Sequence, residues 1–376
     1  MKKALIVILL VTLTACQSTK TLMEHGKYDK VIKRSVNHLS HKKLKTKWVL
    51  HLEAAYVEAF QILRDSISHL KIKNQEKNWD LIYDLYKEIE KYQLTVIPFL
   101  PLRSDDGYLA QLEIIDIAPL ITEAANRASE FHYQEALTYL EAGRKGDKRA
   151  ARHSYYEVEK IKKYSVDYKS MQMLQSEVFE LGKIYVLLDF INDSSTDISG
   201  DFKFWAMNPQ NLSTKWNKFH YQMPDGVLPD YEVTYMVNAV YVEEHISSSC
   251  WTETKEVEDG YIEKKTIVDS VEVIKKIPVY KTISATVTKK TFEKDASVHG
   301  KLMIYDARLN EEEGVSINGY ADFDDEYISY SGDSEALTTS VGGFYPSFPS
   351  DYSLIGNAVD NAGWYISKIL KRRIKP

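Results

Sequence analysis

Asp193, Ser195, Asp197 and Ser199 alternate ahead of Gly200 in the manner of a calcium loop. An EF-hand loop needs Gly at its sixth position to turn the chain and a bidentate Glu at its twelfth. Ile198 and Phe204 occupy those places, so a solvated loop is expected. Gly314-Val315-Ser316-Ile317-Asn318-Gly319 comes within one residue of the Gly-x-Ser-x-Gly nucleophile elbow, but Asn318 fills the position where the strained turn requires Gly. Ser40-His41-Lys42-Lys43 satisfies Ser-x-x-Lys, which could pair a nucleophile with a base one helical turn away. The companion Ser-Asp-Asn and Lys-Thr-Gly elements are missing. His38, His41, His51 and Glu53 lack the His-Glu-x-x-His spacing that sets two imidazoles on one helix face. These histidines read as solvent-facing. No phosphate-cradling loop or dinucleotide fingerprint occurs, so no cofactor is expected. Asp322, Asp324 and Glu326 are the acidic residues a glycan hydrolase could use, since two carboxylates about 5–10 Å apart suffice. Asp322, Asp324, Asp325 and Glu326 together read as a turn, and Glu311-Glu312-Glu313 as a loop tip.

The chain has only two cysteines, Cys16 and Cys250. Lys2 and Lys3 precede an apolar run, Ala4 to Leu13, that ends in small residues. Such a run is too short for a spanning helix and has the form of a secretory signal. Leu13-Thr14-Ala15-Cys16 resembles the lipobox of bacterial lipoproteins. The resemblance implies removal of residues 1–15, lipidation of Cys16 and a short tether over 16–22. Gln17, in place of the Asp that retains a lipoprotein in the inner membrane, implies the outer membrane. Cys250 is then without an intrachain partner and is expected to be a buried hydrophobe.

Residues 17–190 carry 27 Lys or Arg against 25 Asp or Glu, and residues 191–376 carry 19 against 29. Nucleic-acid binding, which needs a basic face, is not expected. The chain is long enough for two domains at about 150 residues each. From Met23 to Leu181 apolar residues recur at helical spacing: Trp48, Leu52, Ala55, Ala59, Ile62 and Leu63, then Trp79 through Leu94. Pro98, Pro101 and Ser104-Asp105-Asp106-Gly107 interrupt this, and the helical pattern is expected to resume at Tyr108.

Ala124, Ala128, Tyr133, Ala136, Leu137 and Leu140 build one amphipathic helix. After a turn at Gly143 to Asp147, Ala150, Ala151, Tyr155, Val158 and Ile161 build its partner. This pair resembles a tetratricopeptide unit, as does Gly26-Lys27-Tyr28 more weakly. Stacked helical pairs offer a concave face to protein partners, and Tyr133, Tyr155, Tyr156 and Tyr164 are the candidates for it.

At Gly182 the pattern changes. Ile184 to Phe190 reads as a buried strand, Trp205 to Phe219 as a helix, and Glu232–Glu243, Tyr261–Lys276, Val279–Phe292, His299–Leu309, Val315–Phe323 and Glu326–Ser331 as strands. Leu354 to Leu370 closes the chain as a helix, with Lys371, Arg372 and Arg373 complementing its negative end. The expected architecture is α+β: a tetratricopeptide-like helical domain over 23–182 and a mostly antiparallel α+β domain over 183–376. Val186 to Asn192, Gly300 to Ala307 and the spacing after Leu354 are loosely similar to envelope lipoproteins of the curli-secretion and penicillin-binding-protein-activator type. The whole implies a periplasm-facing scaffold, held to a membrane by its lipid, that binds an envelope protein or polymer or assembles into an oligomer.

Overall fold

The computed structural model describes residues 18–41, 44–268 and 271–375, so Cys16 and the signal lie outside the described residues. The chain divides into two compact units, Met1–Gly182 and Lys183–Pro376. Among the described residues no helix is long and apolar enough to cross a membrane.

The first unit is helical: α1 Thr19–Glu24, α2 Tyr28–His41, α3 Thr46–Ile72, α4 Trp79–Val96, α5 Ala118–Arg144, α6 Lys148–Ile161 and α7 Met171–Leu181. Leu52, Ala55, Tyr56, Ala59 and Phe60 of α3 pack with Ile82, Tyr86 and Ile89 of α4 in one apolar core. Helix does not resume at Tyr108. Residues 108–117 are without helix, and α5 begins only at Ala118 with Pro119 in its first turn. The extended stretch is held by side chains of the neighbouring helices. Glu53 accepts from the Tyr108 hydroxyl and the Gln111 amide, each at 2.6 Å. Tyr56 donates to the Glu113 carbonyl at 2.5 Å and Gln93 to the Ile115 carbonyl at 2.9 Å. These side-chain bonds satisfy a backbone that has no ladder of its own.

The second unit is a five-stranded mixed sheet in the order β2-β1-β3-β4-β5, formed by β1 Ile184–Asn192, β2 Asn217–His220, β3 Tyr231–Val268, β4 Val271–Asp306 and β5 Glu311–Gly332. Strand β1 runs parallel to both β2 and β3, whereas β3, β4 and β5 pair antiparallel. The expectation of a mostly antiparallel sheet therefore holds only for the β3–β5 side.

Two further expectations are corrected. Trp205 to Phe219 is not one helix. Asn208 caps a new short helix through the Gln210 amide, so α8 Phe202–Ala206 and α9 Pro209–Leu212 are separate and Asn217–His220 is strand β2. The six expected strands are also three. Residues 244–260 and the Asp322–Glu326 run are too polar to show apolar alternation, yet the ladder passes straight through both. Glu311-Glu312-Glu313 likewise opens β5, with Glu313 paired to Arg373 at 2.5 Å.

Helix α10, Asp351–Arg373, lays Leu354, Ala358, Ala362, Ile366 and Leu370 into the core formed by Val186, Val233, Val298 and Ile317. Gly319 permits this approach, because a Cβ there would lie 1.8 Å from the Ala358 carbonyl oxygen. Backbone cannot yield as a flexible side-chain end does. Gly319→Ala is expected to destabilise the second unit by about 1–3 kcal/mol or more, read as a lowered urea midpoint followed by the fluorescence of Trp205 and Trp216.

Candidate interaction surfaces

Small residues let α5 and α6 approach closely. A Cβ at Gly143 would stand 3.0 Å from that of Ala151, and the Ser154 hydroxyl donates to the Ala136 carbonyl at 2.6 Å. Asp147 begins α6 by accepting from the amides of Arg149 and Ala150, both at 3.0 Å. His132 lies in this apolar stripe, four residues from both Ala128 and Ala136, and is 2% exposed. Its Nδ1 meets Glu157 at 2.7 Å and its Nε2 meets Asp80 at 3.0 Å. The Tyr164 hydroxyl donates to Asp80 at 2.8 Å and its ring stacks beside the imidazole.

Burial alone would lower the pKa of His132, but the hydrogen bonds to Asp80 and Glu157 outweigh it and raise the pKa above its ordinary 6.5. Burial would likewise raise Asp80, yet the bonds from His132 and Tyr164 bring it below 3.8. With both ring nitrogens engaged by carboxylates, the triad is a clamp across α4, α5 and α6. Its sequence signal was a histidine at core spacing within an alanine stripe, which the search for metal and nucleophile motifs passes over.

The four candidate tyrosines fall into separate environments. Tyr133 and Tyr155 are half-buried against Ala136, Leu140, Val158 and Leu174. Tyr164 bonds Asp80 of the triad. Tyr156, 48% exposed, is the one turned outward. Half-buried rings reflect the groove-filling role of aromatics between packed helices.

In the second unit Asp322 stands opposite Asp295, which stands opposite Glu243, and all three line an open cavity of about 420 Å³ on the outer sheet face. Asp324 pairs in register with Glu293, and Glu326 bonds Lys289 at 2.5 Å. Asp80, Asp106, Glu130, Glu159, Glu253 and Asp306 have their pKa lowered by hydrogen bonds and neighbouring cations. The calcium-like loop is organised by Asn192, which donates to the Thr196 carbonyl at 2.9 Å, and its Ile198 is buried. Among the described residues no group of three His, Cys, Asp or Glu side chains is placed to hold a metal ion. Ser316 is a strand residue of β5, and the Ser40 hydroxyl donates to the Val36 carbonyl; Lys43 lies outside the described residues. His51 is half-buried rather than solvent-facing, with Nδ1 enclosed. Cys250 is exposed, a correction to the buried expectation, because its stretch of β3 has no layer against it.

The largest unsatisfied feature is in the β-sheet. Strands β3 and β4 pair from Tyr231–Asp306 to Val268–Val271. Strand β1 covers β3 only as far as Val237, and β5 covers β4 only from Asp306 to Ala285. From there onward the two strands run alone, about 50 Å at 3.4 Å per residue. At the base of this arm Ile283 and Ala285 are covered by Ala336, and Glu253 holds the covering loop by accepting from the Thr339 amide at 3.1 Å. Bonds from Thr339, Thr338 and Trp251 keep that carboxyl well below the usual range. Beyond the base, Tyr261, Ile262, Ile267, Ile274 and Tyr280 are all at least half exposed. Pro278 is tolerated beside the bulge at Glu258–Tyr261. Both outer edges of the arm expose unpaired backbone groups, the usual template for strand addition.

No family model matches this chain, and no curated protein matches it.

The His132 clamp gives a pH signature. A raised histidine pKa contributes stability that is complete below 6.5 and lost as pH rises through the folded value. The lowered Asp80 contributes above 3.8 and is lost as pH falls through its folded value. Urea unfolding of the first unit is therefore expected to be most resistant between those limits and to weaken toward alkaline pH. His132→Gln should flatten the alkaline limb.

Proposed function

We propose that this protein is a lipid-anchored scaffold of the bacterial cell envelope, facing the periplasm from the outer membrane and acting by strand addition rather than by catalysis. The observation that carries this reading is the two-stranded arm of β3 and β4. A lone hairpin is marginal in water, and three or more strands or a covering layer make it stable. An arm with two open edges and exposed Ile and Tyr side chains is suited to gain strands from a partner. The lipobox resemblance supplies the anchor at Cys16, and the small-residue crossing of α5 and α6 supports reading the helical unit as tetratricopeptide-like. In that reading Tyr156 is the first of the candidate tyrosines to meet a partner.

A second reading, a self-assembling envelope subunit, is favoured by charge. The open edge of β4 carries Lys275, Lys276 and Lys281 against Glu272, whereas the facing edge of a second β3 carries Glu253, Glu256, Glu258, Asp259 and Glu263 against Lys255, Lys264 and Lys265, so the two edges differ in sign. Light scattering after size exclusion separates the two readings. An oligomer lost when Glu258–Tyr280 is replaced by an Asn-Gly turn assigns self-assembly. A monomer that retains envelope proteins only with its arm intact assigns the scaffold. Monomers retaining the same proteins with and without the arm would sink the strand-addition mechanism. Radiolabelled palmitate incorporated by the native chain and not by Cys16→Ser checks the anchor.

A further inference from the structure

The near balance of charge in the helical unit conceals a steep local excess. Residues 17–47 hold nine Lys or Arg against two Asp or Glu, whereas residues 48–182 hold 17 against 22. Lys27, Lys30, Lys33 and Arg34 recur at three- and four-residue spacing, so they share one face at the start of α2, while Val31, Ile32, Ser35 and Leu39 bury the other. Helix stability does not explain Lys27 and Lys30, because cations at an N-terminal end oppose the helix dipole. Lys30, Lys33 and Arg34 line a groove of about 1010 Å³ between α2 and α4, with Val36 and Tyr92 contributing apolar surface and Lys91 on the far wall. The lining carboxylate, Asp29, accepts from the Tyr92 hydroxyl, and Lys91 bonds Glu88 at 2.7 Å.

We propose that this face of α2 and its groove form a binding site for anionic phospholipid headgroups of the membrane to which the chain is tethered. A cationic rim over an apolar floor matches a phosphodiester carried on acyl chains. The tether allows it: Lys27 is 11 residues after Cys16, six of them in α1, a reach of about 25 Å. The position beside the bilayer rests on the anchoring proposed above; the chemistry of the site does not.

The test separates these. Residues 16–376 carrying Cys16→Ser cannot be acylated and retain both compact units. Sedimented with phosphatidylcholine vesicles, this chain is expected to stay in solution. With vesicles that also contain phosphatidylglycerol it is expected to pellet, and to be released by salt. Each lysine near the surface is expected to contribute about five-fold in affinity, so Lys27→Gln, Lys30→Gln and Lys33→Gln together should weaken binding about 100-fold. The control Lys368→Gln, Lys371→Gln and Arg372→Gln should bind as the parent does, with circular dichroism confirming both folds. Equal binding to the two vesicle types, no binding, an unaffected triple variant, or retention on heparin without vesicle binding would each overturn the proposal. Absence of palmitate from Cys16 would remove the anchor and leave a positive vesicle result standing.

Discussion

The backbone ladder between β3 and β4 is the constraint on which the second unit depends. It is continuous from the core to the tip of the arm, broken in register only near Val237 and Glu258. Near its root the ladder has everything a stable sheet requires: β1 and β5 at its flanks and α10 across one face. Lys294 fastens that root. It is buried, with Nζ 2.6 Å from both Glu244 and Asp351 and donating to the Pro349 carbonyl at 2.9 Å. A buried ammonium is tolerable only when its hydrogens are all accepted, and three acceptors from β3, from the start of α10 and from the segment before it satisfy that demand. Away from the root each support drops away in turn, until hydrogen bonds between two strands and a few cross-strand pairs remain. Among these are Lys265 with Glu272 at 2.9 Å and Lys281 with Asp259 at 2.7 Å. Exposed pairs of this kind contribute well under about 1 kcal/mol, too little to replace a core.

The helical unit is organised by the opposite principle, close contact rather than long pairing. Alanine and glycine at the α5–α6 crossing bring the backbones together, and the His132 triad spans the junction with α4. Breaking such a triad leaves an uncompensated charge in a dry place, which is costly in a way that replacing the whole set by apolar residues is not. The triad is therefore better understood as fixing which faces of α4, α5 and α6 meet than as a source of stability.

What the sequence disclosed follows from which forces leave a pattern. Burial leaves one, so the helices over Trp48–Leu63, Trp79–Leu94 and Ala124–Ile161 and the closing helix after Leu354 were legible from apolar spacing alone. The same pattern stands at Ile283, Ala285 and Val287, which are buried while Thr282, Ser284 and Thr286 between them are exposed. Backbone pairing leaves none. Residues 244–260 belong to β3 because β4 lies beside them, not because their side chains alternate. Cys250 was misread for the same reason, since a strand without a covering layer exposes both faces. Parallel pairing of β1 with β2 was also hidden: the four residues of β2, soon after the short helix α9, carry too little sequence to distinguish strand from helix end. The basic face of α2 was written plainly in residues 17–47, but summing charge over a whole domain erased it.

The proposed anchor changes what strength of contact the arm requires. A chain tied to a membrane diffuses in two dimensions beside its neighbours, and its effective concentration for a second contact can reach the millimolar range. At that concentration an edge-to-edge ladder too weak to persist in dilute solution becomes occupied. An exposed edge of comparable length on a freely diffusing chain would instead be a hazard, because it accepts any strand it meets. Charge limits that hazard here. Strand β5 has seven acidic side chains and no basic one from Glu311 to Gly332, which disfavours pairing between two β5 edges. The open stretch of β4 carries Lys275, Lys276 and Lys281 and favours an acidic neighbour. In the proposed assembly, anchoring and charge act on the same quantity, the population of correctly paired arms, the first by raising encounter and the second by rejecting the wrong edge.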